Sequence, residues 1–482
     1  MNPSQTTVIP APKEFSGGKK KTALPQPEIY MGHPQWKGAV RTFCRCAEKI
    51  HGIRFREGRG GIRLVFDVQM PEGYYLLETG EKIILRASEG SGMGYALATL
   101  LQMIEVQDGE ILLPDVKIKD YPDKPYRALM VDLARRWHPF HTLLSYVDLC
   151  FFYKINHLHL HFMDNESYTL PSEAFPNLPS EQRHYSGKEI QQLRTAAQEA
   201  GVILIPELEA PGHAVHLIEK YPEQFGNALG GYQADGFVNE AGHTIAGKEG
   251  VICAGSETAM KGLEILLDEI CALFPEAPYL HIGGDEAHIS LWEHCSTCGE
   301  YRKRCGIESV EELYADFVGR FADMVLARGK TPIVWEGFSK EYAARISKET
   351  IVIAWESYYQ TAYDLLEAGF RVINSSWQPL YIVPDSLRRW SAYDILKWDI
   401  YNWQHWWEKS EACLNPIHVT PTDQVIGAQL CAWECTYEQE ILFVVENLAA
   451  LSERTWSVRR KCGDEQFYQK LQAATSLAVS LL

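Results

Sequence analysis

From residue 128 onward, short apolar runs recur along the chain, each closed by a polar or aromatic residue and separated from the next by enough residues for a helix. In order they are ALMVDLA from 128, HLHLHF from 157, ILIPEL from 203, YLHIGGDE from 279, PIVWEG from 332, IVIAWES from 351, RVINSSW from 371 and IGAQLCAW from 426. Near-continuous apolar runs mark strands buried on both faces, as in a parallel sheet. Apolar positions at helical spacing mark LLSYVDLCFFYKI, GKEIQQLRTAAQEAG, SETAMKGLEILLDEICALF, VEELYADFVGRFADMVLARG and EQEILFVVENLAALSERTW between them. Eight strands alternating with helices over about 250 residues or more predict an α/β protein, a (β/α)8 TIM barrel, over residues 123–482. An open doubly wound sheet is the alternative compatible with the same alternation.

Upstream the pattern changes. Between about Pro27 and Pro122, IRLVFDV and KIILRAS read as strands and GMGYALATLLQMIEV as a helix, which predicts a small α+β domain over 26–122. The two prolines of KDYPDKPYR break regular structure and set the boundary there. Residues 1–25 carry Pro10, Pro12, Gly17, Gly18 and then Lys19, Lys20 and Lys21 with few apolar anchors, and read as a flexible arm with a solvated lysine triplet.

With 482 residues, 46% of them hydrophobic, the chain has ample material for a core. Its 63 acidic and 46 basic side chains leave a formal charge of −17, which repels phosphate backbones and anionic lipid headgroups and argues against a nucleic-acid partner. Twelve cysteines are too dilute for a disulfide scaffold and permit a reducing compartment. No run of eighteen apolar residues suggests a membrane span, and the N-terminus lacks the order of a secretory signal. The expectation is a soluble, cytoplasmic protein, with a secreted mature form that has lost its signal as the alternative.

A barrel presents its chemistry at the C-terminal ends of its strands. Those ends carry Arg135, Asp164, Glu207 with His213, Asp285 with Glu286, Trp335, Trp355, Trp377 and Trp433. Carboxylates and indoles around a concave mouth suit a sugar, whose apolar face stacks on the rings while polar groups hold its hydroxyls. HIGGDEAH is the sharpest motif: two glycines precede the adjacent acids, which lets a ligand approach the backbone closely. On an extended segment the two carboxyls would point in different directions and serve different atoms of one substrate. The plainer reading is an acidic strand end that caps the next helix.

The stretches ILRASEGSGMGYALATLLQMI, YRALMVDLARRWHP, KINHLHLHFMDNESY, PELEAPGHA, HIGGDEAH and LAALSERTWS stand in this order along the chain. Together they resemble the family 20 glycoside hydrolases, the β-N-acetylhexosaminidases. The first is similar to the end of that family's non-catalytic domain, the next four to its first four strand motifs and the last to its closing helix. The resemblance implies exo-acting, retaining hydrolysis of terminal β-linked GlcNAc or GalNAc on an oligosaccharide or glycoconjugate, without metal or organic cofactor. The nucleophile would be the substrate's own acetamido oxygen, acting through an oxazolinium intermediate.

By motif position, Glu286 would be the general acid and base, and Asp285 would hold the acetamido N–H. Arg135 would bind vicinal hydroxyls, and Asp164 and His213 would link by hydrogen bonds toward the acid. Tyr381 would hold the acetamido oxygen, with Trp335, Trp355 and Trp433 lining the pocket and the sugar face. The scheme needs Glu286 protonated while Asp285 is ionised, and the like charge beside it is expected to push the acid that way. The sequence departs from the family pattern at Val383, where an aspartate is usual and Asp385 is the nearby substitute. It departs again at Cys435, where an acid is usual and Glu434 lies one place early, and at Tyr168, where tryptophan is common. The first two concern the hydroxyls around C4 and C6.

Two clusters invite a metal reading. His157, His159 and His161 alternate along one strand and share a face, the H-x-H spacing of metal-dependent amidohydrolases. The fifth and sixth strands end in tryptophan and glutamate, which leaves that ligand set incomplete and favours structural histidines satisfied by hydrogen bonds. His294, Cys295, Cys298 and Cys305 offer a C-x-x-C spacing that suits structural zinc, with free thiols or a disulfide as the competing readings. A non-catalytic sugar-binding protein on the same fold is the third functional reading, and the intact Asp285 and Glu286 oppose it.

Overall fold

A computed structural model describes residues 7–226, 248–385, 388–461 and 463–482, together with three two-residue strands between 232 and 245. The eight apolar runs form eight parallel strands: Tyr126–Asp132, His157–His161, Ile203–Glu207, Tyr279–His281, Thr331–Trp335, Ile351–Ala354, Arg371–Asn374 and Val425–Ala432. Each pairs with the next and the last pairs with the first, so the barrel is closed.

Period-two alternation decides what fills it. Ala128, Met130, Ile205, Ile333, Ile351, Ile353, Ile373 and Cys431 pack inside. The intervening Leu129, Val131, Leu158, Leu160, Leu204, Val334 and Val352 face outward into the larger core under the helices. Burying each such aliphatic side chain is worth about 1.5–3 kcal/mol, so strand register is strongly specified. That register sets Asp132, His161, Glu207 and His281 side by side on the first four strands, which stacks four titratable side chains at one height near the mouth. Helix starts are chemically marked: Ser186 and Glu189 form a reciprocal cap on Gly187–Ala200, and Ser256 and Ser309 cap Glu257–Leu273 and Val310–Ala327.

The preceding module is a mixed eight-stranded sheet with helices Lys37–His51 and Gly90–Met103. The second helix is buried nearly all round, between its own sheet and the barrel helix Phe140–Phe152. Over its described residues, 7–25, the expected flexible arm is overturned here, while 1–6 lie outside the described residues. Val8 and Ile9 are fully buried, and Glu14–Leu24 is an edge strand paired antiparallel with Glu110–Asp120. Gly17 and Gly18, which read as loop punctuation, lie at a register shift in that ladder. At Gly17 φ is +103°, and a Cβ would come within 2.3 Å of the Asp115 carbonyl oxygen. The lysine triplet is exposed as expected but on a strand, with Lys20 pairing Asp115 at 3.6 Å and Lys21 pairing Glu105. Lysines on an edge strand discourage pairing with another sheet.

Module and barrel meet at a buried carboxylate. Asp120 accepts hydrogen bonds from the Tyr75 hydroxyl (2.7 Å), the Trp456 indole (2.8 Å) and the Lys13 N–H (2.9 Å), and pairs with the buried Lys154 ammonium at 3.3 Å. Removing one partner of a buried pair strands the other charge. Asp120→Asn is therefore expected to destabilise the chain by about 3–5 kcal/mol in denaturant unfolding. A loss within experimental error would show that Lys154 is not held as a charge by Asp120.

Candidate active site

Glu207, at the end of the third barrel strand, is the centre of the polar layer. One carboxylate oxygen meets the His159 Nε2 at 3.1 Å and the His161 Nδ1, and the other accepts from the Trp335 indole at 2.8 Å and meets the His281 Nδ1 at 2.7 Å. Burial opposes its charge, but the surrounding histidines hold its carboxyl well below the usual range. Burial would also lower His161, yet Glu207 on one side and Asp164 on the other lift it to about 10. The alternating histidines are thus tied into a hydrogen-bonded layer. His157, one step deeper, stacks on Tyr126 with ring centroids 4.3 Å apart.

The layer continues upward through Asp164, which accepts from the His161 Nε2 at 2.9 Å and from the Arg135 Nη2 at 2.8 Å. The His213 Nδ1 stands 3.4 Å from the same carboxylate. Arg135 is steadied further by Asp132, 3.4 Å from its Nη1, and lies over the Trp433 ring at 5.0 Å. Burial disfavours charge on His213, but Asp164, Glu286 and Asp285 outweigh it and raise the imidazole well above its ordinary value. That favours its protonated, imidazolium form.

Asp285 and Glu286 converge on that imidazolium rather than diverging as an extended segment predicts. The Asp285 Oδ2 and Glu286 Oε2 lie 3.6 and 3.4 Å from the same His213 Nε2. The fourth strand stops at His281, and the chain then turns through Gly283 and Gly284 (φ +68° and +87°) to Glu286 at φ +44°. These glycines make room for protein, not for ligand: a Cβ on Gly283 would fall 1.9 Å from the Glu209 Oε1, and one on Gly284 would fall 2.6 Å from Val334. Glu209 Oε1 in turn accepts the Gly284 N–H at 3.1 Å, and the Tyr314 hydroxyl donates to the Gly284 carbonyl. Gly283→Ala is therefore expected to shift the acidic pair and lower kcat about 10²-fold with the fold retained by circular dichroism. Wild-type kcat in that variant would remove this role.

Protonation in the free site runs opposite to the sequence expectation. Burial, together with the Glu286 and Glu207 charges, pushes Asp285 up to about 6 despite His213. Burial raises Glu286 too, but the His213 hydrogen bond and charge, aided by Arg135, bring it below its ordinary value. The His213 hydrogen bond explains the difference, since burial raises both carboxyls while Asp285 has the His213 and His161 charges to lower it. The Glu286 charge adds to the rise of Asp285, and His213 decides the order.

An aromatic wall closes the other side of the mouth. Trp335 is buried, with its ring 6.3 Å from Trp355 and 5.9 Å from Trp433, while Tyr381 stacks on Trp377 at 4.7 Å and on Trp355 at 6.3 Å. Val383 joins this apolar cluster, and Asp385 faces Arg388 at 3.9 Å. The Cys435 thiol is buried in the main core, whereas Glu434, at φ +59°, is exposed at the mouth and within electrostatic reach of Arg135. Tyr168 is buried in the same main core. Four of the seven non-glycine residues with positive φ among those described are His213, Glu286, Ser357 and Glu434, all at strand ends around the mouth.

Three buried acids beside the site went unremarked in the sequence. Burial first, then the Asp285 and Glu207 charges, raise Glu209 well above the carboxylate range. Burial lifts Glu356 to about 9, with help from Glu286. Burial lifts Glu336 to about 7 even though it accepts the Ser357 and Tyr358 N–H groups at 2.9 and 3.0 Å. Glu336 and Glu356 directly follow the strand-end tryptophans, the one signal that marks them.

The thiol-rich group is rearranged relative to its sequence reading. His294 and Cys305 are exposed and stand apart, while Cys295 and Cys298 are joined by Cys253 from 42 residues upstream. Spacing along the chain finds only neighbours in sequence.

Comparison with known proteins completes the picture. Residues 125–459 match the model of the glycosyl hydrolase family 20 catalytic domain, and residues 5–121 match domain 2 of that family. The chain is 28% identical over 350 residues to a beta-hexosaminidase of Vibrio furnissii, covering 67% of this chain and 55% of that protein. It is 30% identical over 343 residues to a beta-hexosaminidase of Akkermansia muciniphila, covering 67% of each. The fold superposes with a TM-score of 0.83, at 21% identity, on the GH20 exo beta-N-acetylglucosaminidase of Vibrio harveyi solved in complex with N-acetylglucosamine, covering 99% of this chain and 77% of that one. A closed barrel with its acidic pair at the fourth strand, a matching preceding domain and a catalytic-domain match over most of the sequence place this chain in glycosyl hydrolase family 20.

Proposed function

We propose that the chain is an exo-acting, retaining β-N-acetylhexosaminidase that removes terminal β-linked GlcNAc or GalNAc by substrate-assisted catalysis. The observation that carries this reading is the convergence of Asp285 and Glu286 on one imidazolium beside a closed aromatic wall. In the proposed reaction the acetamido carbonyl oxygen attacks the anomeric carbon while Glu286 gives its proton to the glycosidic oxygen, and the aglycone leaves. Asp285 accepts the acetamido N–H and offsets the charge that develops on the oxazolinium. Glu286, now a carboxylate, takes a proton from the water that reopens the ring, which restores the enzyme and keeps the anomeric configuration. Arg135, braced by Asp164 and Asp132, offers its remaining N–H donors to the sugar hydroxyls, and the indoles hold the acetamido group at attack distance.

Substrate binding supplies the proton order that the free site lacks. A sugar in the mouth covers the half-exposed Glu286 and raises it, while its N–H stabilises the Asp285 carboxylate. In the free enzyme the pair holds a single proton at pH values between the two titrations and loses it above about 6. The productive arrangement, proton on Glu286 and charge on Asp285, is one form of that singly protonated pair. Hence kcat/KM is expected to fall as pH rises through about 6, and a pH profile with an uncharged leaving group checks the sign. A kcat/KM still climbing through neutrality would contradict it. Turnover of chromogenic gluco and galacto N-acetylhexosaminides tests the activity itself, and no turnover of either would overturn the reading.

A further inference from the structure

Away from the acidic pair, three buried thiols form a group of their own. Cys253, Cys295 and Cys298 are 2%, 1% and 0% exposed, and the Cys253 sulfur lies 3.6 Å from each of the other two. All three sulfurs lie within 4.8 Å of one another. A disulfide needs sulfurs about 2.05 Å apart and joins only two of them. A tetrahedral zinc ion with Zn–S bonds of about 2.3 Å sets its sulfurs about 3.8 Å apart, close to the spacing seen.

The backbone is shaped to the cluster. Cys295 and Cys298 form a C-x-x-C turn that opens the helix Ser296–Cys305, so their sulfurs sit at its positive end. The Ser256 N–H donates to the Cys253 carbonyl at 3.1 Å and the Gly299 N–H to the Cys295 carbonyl at 2.9 Å, which fixes the turn on each side of the sulfurs. Gly255 has no room for a side chain, since a Cβ there would come within 2.6 Å of the Thr297 carbonyl oxygen and 2.8 Å of the Cys298 Cα. A helix N-terminus stabilises thiolates, the form that binds metal.

We infer that Cys253, Cys295 and Cys298 bind one structural zinc ion as thiolates. Binding releases the three thiol protons to solvent, and among the described residues no further histidine, cysteine or carboxylate joins the three. Its place gives the ion a job. The Ile252 N–H donates to the Pro211 carbonyl at 2.9 Å and the Ala214 N–H to Gly250 at 3.3 Å, so the Cys253 loop backs the segment that carries His213. Cys295 and Cys298 close the loop that follows Glu286, and the Trp292 indole donates to the Ile252 carbonyl at 3.0 Å. The ion braces the two loops whose side chains meet at His213 and Glu286, and its presence does not depend on the proposed reaction.

Metal analysis of the full chain, purified under reducing conditions from zinc-supplemented growth, tests this directly. Wild type and Cys305→Ser are expected to carry about one zinc per chain, and Cys253→Ser and Cys298→Ser less than about a tenth of that. Should those variants fail to fold, cobalt added to zinc-stripped wild type is expected to give sulfur-to-cobalt charge-transfer and tetrahedral d–d absorption bands. Three results would each overturn the inference: zinc-free wild type that gives no such bands, zinc retained in Cys253→Ser, or a disulfide between any two of the three found by peptide mapping.

Discussion

Glu286→Gln is expected to cut kcat/KM for an unactivated disaccharide by about 10²–10⁴-fold, the usual contribution of a positioned general acid. The amide keeps the shape and the approach to His213 but has no proton to give. An aryl glycoside whose leaving group departs without protonation escapes the first part of this loss, so the deficit shrinks as the leaving group improves. Exogenous azide, which needs no general base, is expected to restore turnover of such a substrate. An unchanged rate on the disaccharide would remove Glu286 from the reaction. The side chain is half exposed at the mouth, so the substitution strands no buried charge and folding is expected to survive.

Asp285→Asn is expected to behave differently. Its carboxylate orients the internal nucleophile and faces the positive charge of the ring-closed intermediate, so its loss weakens every substrate, whatever the leaving group. A fall of about 10²–10³-fold in kcat is expected, comparable to removing one donor from an oxyanion site, with no rescue by azide. Equal loss with good and poor leaving groups identifies a group that acts on the acetamido side. Loss only with poor ones would make Asp285 a second proton donor.

The fold was legible where physics is local. Eight buried strands announce themselves as apolar runs because both of their faces are covered, and the mouth residues follow from where those runs end. The first strand of the preceding module was hidden because its glycines serve a register shift and its lysines face water on an edge, both of which resemble a tail in sequence. The site divides the same way. Asp285, Glu286, Arg135, Asp164 and His213 meet in one network, as their motifs imply. The hub role of Glu207 was not legible, since its partners come from the second, fourth and fifth strands and only strand register brings them together. Nor was the reason for Gly283, whose missing side chain is occupied by Glu209 from 74 residues away. The proton order of the acidic pair was misread because it depends on the His213 hydrogen bond, which adjacency in sequence does not reveal.

The most direct test is a crystal structure of the chain with a cyclised acetamido-sugar analogue that mimics the oxazolinium ring. The account predicts the ring nitrogen within hydrogen-bond distance of the Asp285 carboxylate, the former acetamido methyl among Trp335, Trp355, Tyr381 and Trp433, and Glu286 beside the anomeric carbon. An analogue ring turned toward solvent, or a covalent glycosyl ester on any side chain of the mouth when a slow substrate is soaked in its place, would contradict it.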